Sequence, residues 1–342
     1  MFELGLDTFG DVTLGANGKR LPQHQVLRDV VEEAVLADEL GLTFFGVGEH
    51  HRDDFAVSAP EVVLGAIASR TKSIHLGSAV TVLSTDDAVR VFERFSTVDA
   101  LSSGRAEVIL GRGSFTESYP LFGFDLNDYE RLFEEKLQLF VELLKEKPLK
   151  WKGSTRAALD GEEAFPPTAS GRLKTWVGVG GTPNSILRAA RHGLPLMLAI
   201  IGGDPLAFAG HADLYRRALA QAGHEALPIG AHSPGYVAAT DVEAKETAWP
   251  HHAAMHARIG AERGWPAMKR SDFEHAVGPT GAVLVGSPET VAAKIVRAVK
   301  GLGLARFDMK YSMGTLPHDK LMKSIELYAM EVRPLVEAEL AG

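Results

Sequence analysis

An acid and two imidazoles stand together in Gly48-Glu49-His50-His51-Arg52-Asp53-Asp54. An imidazole exchanges a proton near neutral pH and a neighbouring carboxylate can tune it, so Glu49, His50 and His51 are candidate proton-transfer residues. Adjacent side chains of an extended segment point to opposite sides, so one of the two histidines faces any given pocket. The same residue types bind metals. A metal site needs further ligands, however, and the first predicted strand ends in Asp7-Thr8-Phe9 instead of a His-x-His pair, so no metal ligand is assigned. A second candidate is Gly111-Arg112-Gly113-Ser114, where glycines allow close backbone approach and the guanidinium can fork onto a phosphate. The plainer reading pairs Arg112 with a loop carboxylate such as Glu117. A third is Gly178-Val179-Gly180-Gly181-Thr182-Pro183-Asn184-Ser185. Thr182 suits an N-cap and Pro183 the first helical position, and the glycines leave the opening N–H groups of that helix open to an anion. This is not the dinucleotide fingerprint, because its third glycine would fall on Pro183. His232, Ser233 and Tyr311 lie inside predicted strands and fit packing as well as a pocket.

The elements around these residues alternate. Strands are predicted at Phe2–Phe9, Thr43–Gly48, His75–Leu83, Ala106–Gly111, Lys174–Val179, Pro195–Ile201, Ile229–Ala239 and Phe307–Ser312. Helical periodicity fills the intervals; in Gln25–Leu40, Val26, Val30, Ala34 and Ala37 share one face. Strand–helix alternation repeated eight times predicts a single α/β domain over residues 1–342, a closed (β/α)₈ TIM barrel. All three candidates follow predicted strands, which is where such barrels carry chemistry. Insertions are expected after strands 4 and 7, at Arg112–Asp128 and Thr247–Val285, with a further irregular stretch at Leu149–Arg172.

Composition narrows the partners. There are 36 Lys+Arg against 44 Asp+Glu and no Cys. The acidic balance argues against nucleic acid, and the lack of Cys removes disulfides, thiol nucleophiles and iron–sulfur clusters. The most apolar run, Leu194–Ile201, is far short of the ~20 residues of a membrane helix, and no targeting segment is visible. A cytoplasmic enzyme is expected.

The run Gly77-Ser78-Ala79-Val80-Thr81-Val82-Leu83-Ser84 leads through Asp99-Ala100-Leu101-Ser102-Ser103-Gly104-Arg105 to Gly111-Arg112-Gly113. With Glu49-His50-His51 upstream, and Gly180-Gly181-Thr182-Pro183-x-Ser185, Gly193-Leu194-Pro195 and Gly286-Ser287-Pro288-Glu289 downstream, it resembles the bacterial luciferase-like flavin-dependent monooxygenases. The resemblance implies an FMN-using (β/α)₈ barrel, homodimeric or of higher order, that oxygenates a small organic substrate with O2. A separate flavin reductase or direct hydride would supply electrons. It implies His50 as the catalytic histidine, Arg112 with Gly180, Gly181, Thr182 and Ser185 as phosphate ligands, Ala79-Val80 as a non-prolyl cis peptide under the flavin, and a mobile lid around Ser271–Ala282. Gly111 stands where light emitters carry a reactive Cys, and Asp87-Ala88 where they carry His-Pro, so luminescence is not expected. A deazaflavin-dependent dehydrogenase and a metal-dependent hydrolase on the same fold are the alternatives.

Overall fold

A computed structural model describes residues 2–342. Eight strands form the barrel: β1 Glu3–Thr8, β2 Phe44–Val47, β3 His75–Ser78, β4 Ala106–Gly111, β5 Lys174–Val179, β6 Leu196–Ala199, β7 Ile229–Val237 and β8 Arg306–Lys310. Each pairs in parallel with the next, and β8 pairs back onto β1 with Leu4 opposite Phe307, which closes the sheet. Around it run α1 Gln23–Glu39, α2 Pro60–Ala68, α3 Ala88–Leu101, α4 Tyr129–Leu143, α5 Pro183–Arg191 and α6 Ala209–Gln221, with α7 Asp241–Arg263 and α8 Arg270–Val277 after β7, then α9 Pro288–Leu302 and α10 His318–Leu327.

Strand alternation sorts the side chains. Leu4, Leu6, Phe45, Val47, Leu76, Val108, Leu110, Val177, Leu196, Leu198, Ala231 and Phe307 point outward into the core shared with the helices. Phe44, Ile109, Trp176 and Met197 point inward and form a separate cluster with Val80. The N-terminal end of the barrel is plugged by charge. Arg306 makes two 2.9 Å bonds to Glu107, which also accepts from the Trp176 indole at 2.9 Å. Arg306, His75 and Lys174 together hold the Glu107 carboxyl well below its usual range despite complete burial. With that end filled, the strand C-termini are the end left to carry a site, as in other such barrels.

The chain differs from its sequence reading in three places. The predicted strand His75–Leu83 breaks at the Ala79–Val80 peptide, which is cis, and resumes at Thr81–Val82 beside β4. Leu149–Arg172 contains a small antiparallel pair, Lys150–Trp151 with Leu159–Asp160. Thr247–Val285 is largely helical and not irregular: α7 spans Asp241–Arg263 with Pro250 inside it, and α8 spans Arg270–Val277. The lid implied around Ser271–Ala282 is therefore mostly helix, with Phe273 and Val277 buried in the main core. Among the described residues no helix is long and apolar enough to cross a membrane.

Candidate active site

The chain leaves β2 through Gly48, where a Cβ would stand 2.5 Å from the Ala79 carbonyl oxygen. Only glycine lets the two strand ends come this close. The Ala79 N–H donates to Val47 O at 3.1 Å and the Glu49 N–H reaches Val80 O at 3.4 Å, so β2 and the cis peptide are tied together.

His50 and His51 diverge as alternation requires. The His50 ring lies among Phe9, Phe55 and Phe115, with centroids 4.6, 4.6 and 4.8 Å away. Burial pushes its imidazole down to about 3, so it is neutral at cellular pH; an ordinary, unshifted imidazole does not describe it. Glu49 is not its partner. The Glu49 carboxylate lies 3.8 Å from His51 Nε2, on the side where the His51 ring meets Phe122 edge-on at 5.0 Å.

Val80 projects into the barrel. A Cβ at Gly111 would sit 2.4 Å from Val80 Cγ2, and one at Gly178 would sit 2.9 Å from Val80 Cγ1. The glycine at 111 thus has a steric reason in this chain: it receives the valine of the cis peptide.

Arg112, next along, points to α5. Its Nη2 donates to Thr182 Oγ1 at 3.3 Å and its guanidinium lies 4.9 Å over the Tyr129 ring. Its carboxylate partner is Glu130, not Glu117, which pairs with Arg52 instead. Thr182 occupies the N-cap position of α5, yet its hydroxyl caps no backbone N–H; it lies 2.8 Å from Ser185 Oγ. Gly181 has φ +101°, and nothing lies within 4 Å of where a Gly180 Cβ would be. Glu130 also accepts from Arg188 Nη2 at 2.8 Å, while the buried Arg188 Nη1 has no partner among the described residues. The cradle therefore offers two guanidinia, two hydroxyls and a helix start; the exposed Glu130 carboxylate bridges both guanidinia, and Glu134 holds Arg188 Nε at 2.5 Å.

Two clusters had no distinct sequence signal. Asp7, at the end of β1, is buried, and its Oδ2 lies 2.6 Å from His232 Nδ1 on β7. Lys310 binds Asp11 at 2.8 Å and lies 4.8 Å over the Phe9 ring. In each pair the residues are more than 200 positions apart in the chain; closure of β1 against β8, and of β8 against β7, brings them together.

Helix α7 covers this end. Glu262 takes two 2.7 Å bonds from Arg52, and Arg258 binds Asp54 at 2.9 Å. Arg52 and Arg263 each lie 4.7 Å from the Phe115 ring. From the same helix comes His252, whose imidazole burial lowers to about 4.

Comparison with known proteins bears on this site. The profile described as luciferase-like monooxygenase matches residues 8–306. The alkanal monooxygenase alpha chain of Photorhabdus luminescens is 26% identical over 253 residues, which is 70% of this chain and 66% of that one. Matched segments span 41%, 66% and 35% of three curated relatives, less than two thirds of each. Among solved structures, monooxygenase RslO1 from Streptomyces bottropensis superposes with a TM-score of 0.83 at 23% identity, covering 97% of this chain and 99% of that one. The oxygenating constituent of 3,6-diketocamphane monooxygenase of Pseudomonas putida, in complex with FMN, gives 0.76 at 19%, covering 97% and 98%. An F420-dependent secondary alcohol dehydrogenase gives 0.75 at 16%, covering 98% and 99%. At these identities the structural likeness speaks to the fold, while the profile match over most of the sequence decides the family: the chain belongs to the luciferase-like monooxygenases.

Proposed function

We propose that the protein holds FMN and uses its reduced form with O2 to oxygenate a small, largely apolar organic substrate. The observation that carries this reading is the convergence of the Arg112 guanidinium with the Thr182 hydroxyl, which caps no backbone N–H, at the start of α5, 3.3 Å apart. A helix start and a guanidinium meeting at one point suit a phosphate monoester. Gly180 leaves open space and Arg188 Nη1 lacks a partner, so the residues present fit such a group. The phosphate would replace Glu130 as counter-charge, with Gly180, Gly181, Thr182 and Ser185 around it.

Bound reduced flavin supplies two electrons to O2, one oxygen atom entering the substrate and the other leaving as water. The chain's part is to bind, orient and exclude water. Ala79 and Val80 form the floor on which the ring system would rest. Phe9, Phe55 and Phe115 make the wall apolar, and His50 presents neutral ring nitrogens within it. Glu49 and His51 flank the floor on the other side. Helix α7, clamped by Arg52 and Arg258, keeps bulk water out. Electrons would come from a separate flavin reductase or from a nicotinamide.

The test incubates protein, FMN and a free flavin reductase with a panel of small aldehydes, ketones and thioethers under isotopically heavy oxygen gas. The expected product carries one heavy oxygen atom. Unlabelled products formed only with a deazaflavin would replace oxygenation by dehydrogenation.

A further inference from the structure

We infer that His232, held by Asp7, is the residue that carries protons at the barrel mouth; the inference rests on the flavin reading above. The two side chains come from opposite ends of the sequence and meet inside the barrel at 2.6 Å. Asp7 is buried while the His232 side chain keeps 13% of its surface exposed. Nδ1 is engaged by the carboxylate, so the exposed edge is the one that carries Nε2. A carboxylate accepting from Nδ1–H fixes the tautomer, leaves Nε2 free and stabilises the imidazolium when Nε2 takes a proton.

The surroundings give this histidine a role that His50 lacks. His50 is walled by three phenyl rings, and the Asp11 and Asp54 charges that reach it do not offset its burial, so a positive charge there is costly. His232 approaches the same Phe9 ring, at 6.4 Å, from β7. A second buried carboxyl, Asp308, is the β8 register partner of His232. Burial pushes Asp308 well above the carboxylate range despite the nearby Arg306 charge, so the carboxyl that His232 meets in hydrogen-bond contact is that of Asp7. Asp7 is then a positioning residue and His232 the proton carrier.

The step balances without a further reactant. With the reduced flavin anion bound and no substrate present, its two electrons and one ring proton would reduce O2 together with a second proton from His232 Nε2, giving oxidised flavin and hydrogen peroxide. A proton from solvent restores the imidazolium.

Two measurements test the inference. In the full-length apoprotein, nitrogen-15 histidine NMR reads the tautomer without any flavin. The expected result is a His232 ring protonated at Nδ1 in the wild type, a preference lost in Asp7→Ala; an Nε2-protonated ring in the wild type overturns the assignment. Stopped-flow reoxidation of protein-bound reduced FMN by O2 reads the proton. His232→Ala should slow it by roughly a hundredfold, with partial recovery on adding free imidazole, whereas His232→Gln should be slow and unrescued. A rate within twofold of wild type, or slowing that imidazole does not relieve, overturns it. If FMN fails to bind at all, the flavin reading falls, and the NMR result still decides whether the pair is built as argued.

Discussion

At the scale of single residues, His50 and His51 show how neighbouring identical side chains acquire different chemistry. Three phenyl rings hold the His50 imidazole neutral down to about pH 3, well below the usual histidine range. A group whose folded pKa is depressed this far does not change charge between about pH 5 and 9. His50→Ala should therefore lower the reaction of bound reduced FMN with O2 and substrate by about tenfold to a hundredfold, and by the same factor across that range. A pH–rate profile of the variant against wild type checks this; a deficit that appears only on one side of neutrality would assign His50 a titrating role. His51→Ala, on the other face of the segment, should cost less. The sequence shows the pair and the alternation that separates them. It does not show which partner each receives, because Phe9 and Phe115 arrive from two other loops and Phe55 folds back from later in the same one. The same holds for Gly111, whose reason is Val80, a residue of the break after β3.

At the scale of elements, the eight strands were legible because inward and outward side chains alternate and glycines punctuate their ends. The insertion after β7 was not read as helix, for a physical reason: Pro250, Gly260 and Gly264 look like breakers. Signals for helix were present all the same. Thr240 and Glu243 have the spacing of a helix start, and the Thr240 hydroxyl accepts from the Glu243 N–H at 3.2 Å. Gly264, with φ +69°, ends the helix as a left-handed C-cap. Pro250 is tolerated within a 23-residue helix that gains contacts elsewhere along its length. Its clamp on the loop after β2 has a measurable consequence. Glu262→Gln removes the carboxylate that Arg52 holds through two 2.7 Å bonds. Trypsin should then cut the variant several-fold faster than wild type at Arg263 and Lys269, and added salt should narrow the difference, as expected for exposed ion pairs. Equal cleavage rates at every salt concentration would show that α7 is held by its apolar contacts alone.

At the scale of the whole molecule, barrel closure is what turns scattered residues into a site. Asp7 and His232 are brought together by it, and so are Lys310 and Asp11. No local pattern announces such pairs, so the sequence left His232 undecided between packing and pocket. Arg112 and Thr182 differ in this respect: each carries a local signature, a glycine-flanked guanidinium and a Thr-Pro helix start, and adjacency of β4 and β5 joins the two. The central claim is that this joint cradle holds the phosphate of a flavin mononucleotide. Charge-assisted bonds to a phosphate contribute about 1.5–3 kcal/mol each, so losing the phosphate should cost at least tenfold in affinity. The most direct measurement is a fluorescence titration of the protein with FMN and with riboflavin, in wild type and in Arg112→Ala. The predicted result is a dissociation constant at least tenfold lower for FMN than for riboflavin, with most of that preference lost in Arg112→Ala. Equal constants for the two flavins in the wild type would contradict it.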